Sequence, residues 1–290
     1  RAGIPVGSAT SPEVIHACAS LDAGSVVAIS KAITSTQPNH PEVQLARAVQ
    51  AHTVSVQQVI ADAAATRGGV LLGVGGTHGK TTTTGWVLDA LIRSGSNPSA
   101  FVGGPLGSPL GTPPGSPVHI GSEPGFVVEA DEYGGNFDTY FVDRALILNV
   151  DWDHPDIFAD RRAAVETFAR WAAYPAQNGA VFINRGDLGG AELAALLAAD
   201  VSSNVFTFSA SDASDAPDAN TADIQARVTS RGEGAYSITL EHLSDRAAVV
   251  APVLRALLNR VVPIGLLGAH NASNGLGVAA LAASVSGTVE

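Results

Sequence analysis

Hydrophobic positions along this chain fall into short runs separated by amphipathic stretches, and that spacing predicts alternating strands and helices. Ser25-Val26-Val27-Ala28-Ile29-Ser30 and Thr53 to Val56 are apolar runs of strand length, and Ile4-Pro5-Val6 reads as a strand end. Pro12 to Leu21, with Ser11 as N-cap, reads as a helix, as do Pro41 to Val49, capped near Asn39, and Val59 to Ala65. Further strands are expected at Val70-Leu71-Leu72, Phe126-Val127-Val128, Ala145 to Asn149 and Ala180 to Asn184. Helices are expected at Trp86 to Ile92, Arg161 to Ala173 and Glu192 to Ala198, and an alanine-rich one within Leu266 to Ala283. Tyr236 to Leu240 alternates like an exposed strand. Repeated βα units predict an α/β fold with a mostly parallel sheet and helices on its faces.

Two stretches break the pattern. Phe101 to Pro117 is too rich in glycine and proline for a helix or a central strand. It reads as a surface loop, with a substrate-gripping lid as the alternative. Asp212 to Asp223 is acidic and loop-like, its charges solvated. Residues 1–68 show no G-x-G-x-x-G dinucleotide fingerprint.

Bulk properties narrow the function. The 290 residues suffice for two domains, with 46% hydrophobic and 15% charged residues. A net charge of −11 argues against a nucleic-acid binder, which needs basic patches to neutralise phosphate. No apolar run has membrane-spanning length and no signal peptide is recognisable. Cys18 stands alone, so no internal disulfide can form and a reducing cytoplasm fits. The chain starts at Arg1 and has no methionine, which leads us to expect a piece of a longer protein.

The chemistry centres on Gly73 to Thr84, Gly-Val-Gly-Gly-Thr-His-Gly-Lys-Thr-Thr-Thr-Thr, between an expected strand and an expected helix. A strand, a glycine turn and a helix N-terminus form an anion site, with backbone N–H groups and the helix dipole favouring negative charge. The strict P-loop pattern wants glycine five residues before Gly79, where this chain has Val74, so Gly76-Thr77-His78-Gly79-Lys80-Thr81 is a shortened variant. Lys80 would reach outer phosphates and the Thr81 hydroxyl would sit on Mg²⁺. Lys31 and Lys80 are the lysines of the chain, so a lysine between Gly79 and four threonines is unlikely to be incidental. Lys80 is expected to be solvated until phosphate arrives.

Open parallel sheets hold ligands at the C-terminal ends of their strands. Two other expected strands end in polar clusters, Glu129-Ala130-Asp131-Glu132 and Asp151-Trp152-Asp153-His154. Glu129 and His154 read singly as a salt-bridged strand end and a turn histidine before Pro155. Taken with the loop, they read as Mg²⁺ ligands or groups that orient its water. His270-Asn271-Ala272-Ser273-Asn274 opens the last helix, where its polar side chains either cap the helix or bond an adenine.

Gly76 to Thr81 resembles the ATP loop of the Mur ligases, and His78 resembles their alanine-adding branch. Members carry a Glu-Ala-Asp-Glu strand end, an Asn-x-x-x-Asp-His segment and a Gly-x-His-Asn-x-x-Asn segment in that order. This chain has Glu129 to Glu132, Asn149 to His154 and Gly268 to Asn274. The resemblance covers about residues 20–285. It implies a partial Rossmann-like nucleotide-sugar domain over residues 1–68 and a P-loop central ATPase domain over 69–290. It also implies an amino-acid-binding C-terminal domain that is absent here. It implies that Gly76, Thr77, His78, Gly79, Lys80, Thr81 and Thr82 hold ATP, with His270, Asn271 and Asn274 near adenine. Thr81 and Glu129 would hold a first Mg²⁺ and His154 a second, while Ser30, Lys31, Ala32 and Ile33 would line the nucleotide-sugar cleft. Lys80, Glu129 and His154 would carry catalysis. The implied reaction joins L-alanine to UDP-N-acetylmuramate through an acyl phosphate in peptidoglycan synthesis. No lysine follows Lys80, so the carbamylated lysine of many members is absent, as it is in the alanine-adding branch. Glu132-Tyr133 and Asp153 to Phe158 also resemble a ligase that recycles a murein tripeptide. A nucleotide-binding fragment without turnover is a further alternative, and His78 argues against a folate polyglutamating ligase.

Overall fold

A computed structural model describes residues 20–107, 115–200, 204–212 and 222–285. The strand end at Ile4 to Val6, nearly all of the Pro12 to Leu21 helix, the middle of the Gly/Pro-rich loop and most of the acidic loop therefore lie outside the described residues. The chain divides into two compact units between Ala63 and Ala64, a few residues before the boundary drawn from the sequence.

In the first unit β1 (Val26–Ile29) pairs in parallel with β2 (His52–Ser55), Val26 opposite His52 and Ile29 opposite Ser55. Between them run α1 (Lys31–Thr36) and α2 (Pro41–Ala48). Pro41 stands at the first turn of α2, where its missing N–H costs nothing, and Val43 and Ala46 face inward. α3 (Val56–Arg67) follows β2 directly.

The second unit is built on a ten-stranded sheet. Its strands are β3 (Leu71–Gly75), β4 (Ser99–Phe101), β5 (Val118–His119), β6 (Phe126–Ala130), β7 (Arg144–Ile147), β8 (Ala180–Asn184), β9 (Val205–Asp212), β10 (Ile224–Gly232), β11 (Ala235–Leu243) and β12 (Val261–Ile264). The order across the sheet is β12-β11-β10-β9-β8-β7-β3-β6-β4-β5. Neighbours from β10 across to β4 pair in parallel, and the edges are closed by antiparallel β11–β12 and β5. The helices are α4 (Lys80–Arg93), α5 (Arg161–Asn178), α6 (Leu188–Asp200), α7 (Asp245–Val250) and α8 (Ala269–Ala283).

Side-chain alternation along β3 sets the two layers. Leu72 and Val74 join a core with Val87, Leu88 and Leu91 of α4 and Leu276 and Leu281 of α8. Gly73 and Gly75 face the other way, where a Cβ on Gly73 would lie 3.0 Å from the Trp171 ring and one on Gly75 3.4 Å from Phe168. The strand therefore runs on through two glycines that composition assigns to a turn. Their missing side chains let α5 seat its aromatic rings directly on the sheet.

Several expectations need correction. Tyr236 to Leu240 is not an exposed strand: β11 lies between β10 and β12, with Ser237, Ile238 and Leu240 buried. Its alternation marks one face packed on the core. The ends of the Gly/Pro-rich stretch are tied down, since Val102 and Leu106 are buried and their N–H groups donate to Pro117 and Ser116 carbonyls. β4, β5, β9, β10 and β12 were not anticipated: β4 and β5 are only three and two residues long, polar residues interrupt β9 and β10, and Pro263 interrupts β12.

Candidate nucleotide site

β3 delivers the glycine loop to the C-terminal edge of the parallel sheet. Gly76 (φ 142°) and Gly79 (φ 86°) take backbone conformations that L side chains avoid, and Gly79 is the N-cap of α4. The first helical bond runs from Thr83 N–H to Gly79 O at 3.0 Å. The amides ahead of it, Lys80 to Thr82, are the donors that a helix start leaves over for an anion.

The loop is clamped by the strand beside it. Thr77 N–H donates to Asn149 O at 3.1 Å, and His78 N–H donates to Asn149 Oδ1 at 2.7 Å. Asn149 Nδ2 returns a bond to His78 O at 2.9 Å, and Asp151 N–H donates to Thr77 Oγ1 at 2.9 Å. From below, the buried Asn274 of α8 brings its amide nitrogen 3.2 Å from where a Gly79 Cβ would stand.

Lys80 is not solvated, contrary to expectation. Its side chain is 12% exposed, and its ammonium donates to Gly76 O at 2.7 Å, Thr77 O at 3.3 Å and Glu132 Oε2 at 2.8 Å. Glu132 is 2% exposed, and burial raises its carboxyl above the usual range, with Lys80 pulling the other way. Thr81 Oγ1 donates to Glu129 Oε1 at 3.0 Å, and Gly103 N–H holds the other carboxylate oxygen at 2.5 Å. Thr81 and Glu129 thus form a hydroxyl–carboxylate oxygen pair beside the loop, a donor set that suits Mg²⁺.

His154 sits in a turn at φ 55°, its N–H donating to Asp153 Oδ1 at 2.7 Å. Tyr133 packs edge-on against its ring at 5.0 Å and donates its hydroxyl to Asp156 Oδ2 at 3.1 Å. The two polar strand ends are therefore stitched together. Asp153 is held below the usual carboxylate range first by the His154 N–H, with His154, His78 and Lys80 adding to it. Among the described residues no three His, Cys, Asp or Glu side chains cluster as a metal centre. The Mg²⁺ fit accordingly rests on Thr81 and Glu129.

The remaining expected residues stand at the starts of three helices. Thr82 is exposed on the first turn of α4. His270 is exposed beside Gly268, and Asn271 donates to Leu267 O at 2.7 Å. The N-cap there is Gly268, with no side-chain cap bond. Ser30 caps α1, its carbonyl accepting from Ile33 and Thr34, and Lys31 and Ala32 lie in that helix. These four belong to the first unit. Glu132, Asn149 and Gly103 were not read as site residues. The signal for the first two was their place inside the polar strand ends; Gly103 had none. A cavity of about 220 Å³ lies elsewhere, lined by Val70, Pro124 and Phe126 at the opposite ends of β3 and β6.

These features define a P-loop nucleotide-site domain on a mostly parallel sheet. Residues 74–282 match the family model of the Mur ligase middle domain, and the chain belongs to the Mur ligase family. It is 35% identical over 209 residues to a UDP-N-acetylmuramate–L-alanine ligase of Clavibacter michiganensis, covering 72% of this chain and 39% of the relative. A protein of the same name from Rubrobacter xylanophilus is 38% identical over 148 residues, 51% of this chain and 31% of the relative. The chain thus spans well under half the length of these curated relatives. Among solved structures, a murein peptide ligase from Psychrobacter arcticus superposes with a TM-score of 0.63 at 19% identity, covering 90% of this chain and 55% of that one. A UDP-N-acetylmuramate–alanine ligase from Thermotoga maritima gives 0.62 at 20% identity, over 84% and 48%. These likenesses show the fold.

Proposed function

We infer that this chain carries the ATP-binding half of a ligase that joins L-alanine to UDP-N-acetylmuramate in cell-wall synthesis, acting in the cytoplasm. The observation that carries the reading is the loop itself: leftover helix amides, Lys80, and the Thr81–Glu129 oxygen pair converge at one strand end. A carboxylate is a poor electrophile, and phosphoryl transfer from ATP would turn it into an acyl phosphate that an amine attacks. The loop amides would hold the phosphates, and Lys80 would neutralise charge on them. Mg²⁺ held by Thr81 and Glu129 would neutralise phosphate charge further. Asn149 would keep the loop open in the right shape, and His154 would orient water or a second ion. The sheet of residues 69–290 would form the central domain, with residues 1–68 part of the nucleotide-sugar domain. No helix among the described residues is long and apolar enough to cross a membrane.

Calorimetric titration with ATP and Mg²⁺ tests the reading, with saturable binding expected. Absence of nucleotide binding with and without Mg²⁺ overturns it. A second reading, a murein tripeptide ligase, is favoured by the Tyr133–Asp156 bond, which joins the two segments that carry that resemblance. Mass spectrometry of the products formed with ATP and Mg²⁺ from UDP-N-acetylmuramate with L-alanine or with the tripeptide separates the two.

A further inference from the structure

An ammonium has three protons to donate, and all three of Lys80's are taken. Two go to the Gly76 and Thr77 carbonyls of its own loop, and the third goes to Glu132 Oε2 at 2.8 Å. None is left for a ligand. Glu132 comes from a different element, the end of β6, and is 2% exposed. Among the described residues its Oε1 is buried without a hydrogen-bond partner. This carboxylate therefore depends on Lys80 as its counter-charge.

We propose that Glu132 holds the Lys80 ammonium until nucleotide phosphate claims it, and takes up a proton from solvent when phosphate arrives. The proposal rests on the nucleotide-binding reading above and deepens it. A polyphosphate that claims one Lys80 N–H must displace one of its present acceptors. If Glu132 is displaced, a buried carboxylate is left bare. If a loop carbonyl is displaced instead, negative charge still comes to rest beside a carboxylate with no water to spread its own. Both routes favour the neutral acid. The step balances simply: one carboxylate oxygen gains one solvent proton, and the Lys80 charge passes to the phosphate.

Other titratable groups face the pair. Asp131 lies 3.9 Å from Lys80 on the same strand end as Glu129, and both are better solvated than Glu132. His78 is on the loop, and Asp153, on the turn after β7 with His154 next to it, lies within electrostatic reach of Lys80. Tyr140 is buried, and burial, Asp131 and Glu129 push its phenol up, so it stays neutral. All of these remain in Glu132→Gln, so a proton taken by any of them would survive that substitution.

The test is calorimetric titration of the whole chain with ATP and with ADP at fixed Mg²⁺. Buffers of different ionisation enthalpy, over about pH 6 to 8, count the protons bound with the nucleotide. Wild type is expected to gain up to about one proton per nucleotide, its affinity falling by up to about tenfold per pH unit as pH rises. Glu132→Gln is expected to lose that uptake and to bind more tightly than wild type at the alkaline end. Nucleotide binding with no proton uptake by wild type overturns the proposal and leaves the nucleotide reading standing; this needs no variant. Equal uptake by wild type and Glu132→Gln also overturns it. No nucleotide binding by wild type sinks the underlying reading itself.

Discussion

Asn149 and His78 exchange two hydrogen bonds, His78 N–H to Asn149 Oδ1 at 2.7 Å and Asn149 Nδ2 to His78 O at 2.9 Å. One side-chain amide thus satisfies both backbone groups of the loop's third residue, and does so from the end of a neighbouring strand. Asn149→Ala removes both bonds and leaves the loop backbone to find other partners. Each net bond is worth about 1 kcal/mol, so a loss of about 1–3 kcal/mol is expected. Nucleotide affinity should fall by roughly tenfold as the cradle loses its shape. Denaturant unfolding and nucleotide titration measure the two effects, and an unchanged affinity would show that the clamp does not shape the site.

Lys80→Ala should cost stability as well as nucleotide binding. It leaves Glu132, 2% exposed, as an uncompensated buried carboxylate, and breaking such a pair costs about 3–5 kcal/mol. Adding Glu132→Gln to Lys80→Ala should restore most of that loss while nucleotide binding stays weak. Thermal unfolding of the single and double variants is the check, and equal melting temperatures would mean that the pair contributes little.

A pH dependence follows from the same carboxyl. Burial raises the folded-state pKa of Glu132 above its unfolded value. A raised carboxyl binds its proton more tightly when folded, so its contribution is present at acid pH and is lost as pH rises through the folded-state value. Glu132→Gln should flatten the stability profile from the ordinary carboxylate range upward. Unfolding free energies of both proteins across that range decide it; parallel curves would contradict the assignment.

Gly103 lies against the Glu129 carboxylate. A Cβ there would fall 2.5 Å from Oε1 and 2.7 Å from the carboxyl carbon. Gly103→Ala must push Glu129 away from Thr81, so Mg²⁺-dependent nucleotide binding should weaken more than metal-free binding. Glu129→Gln should do the same by removing charge. Titrations with and without Mg²⁺ compare them. An equal loss under both conditions would assign Glu129 a structural part.

Gly73 tests the layer beneath. Its missing Cβ would stand 2.8 Å from Val142 and 3.0 Å from the Trp171 ring. Gly73→Val should overpack the sheet–helix contact and cost about 1–3 kcal/mol, read from the urea midpoint. A midpoint equal to wild type would mean that α5 is free to shift.

The local chain determined the repeated βα units, the loop between β3 and α4, and the polar strand ends, because periodicity and glycine placement act over a few residues. Lys80 and Thr81 were legible for that reason: they follow a glycine at a helix start. Gly73 and Gly75 were taken for a turn, since only the tertiary structure shows which helix presses on a strand. β9 and β10 were hidden because polar residues interrupt their apolar runs, and β12 because Pro263 breaks its run. Glu132 and Asn149 were visible as residues but not as partners. Whether a carboxylate meets solvent, a metal or a lysine depends on which strand ends the sheet order sets side by side. Here β6 and β7 flank β3, so Glu132 meets Lys80 and Asn149 meets His78. Burial then turns an ordinary acid into a carboxyl with a raised pKa, a property that no spacing in the chain encodes.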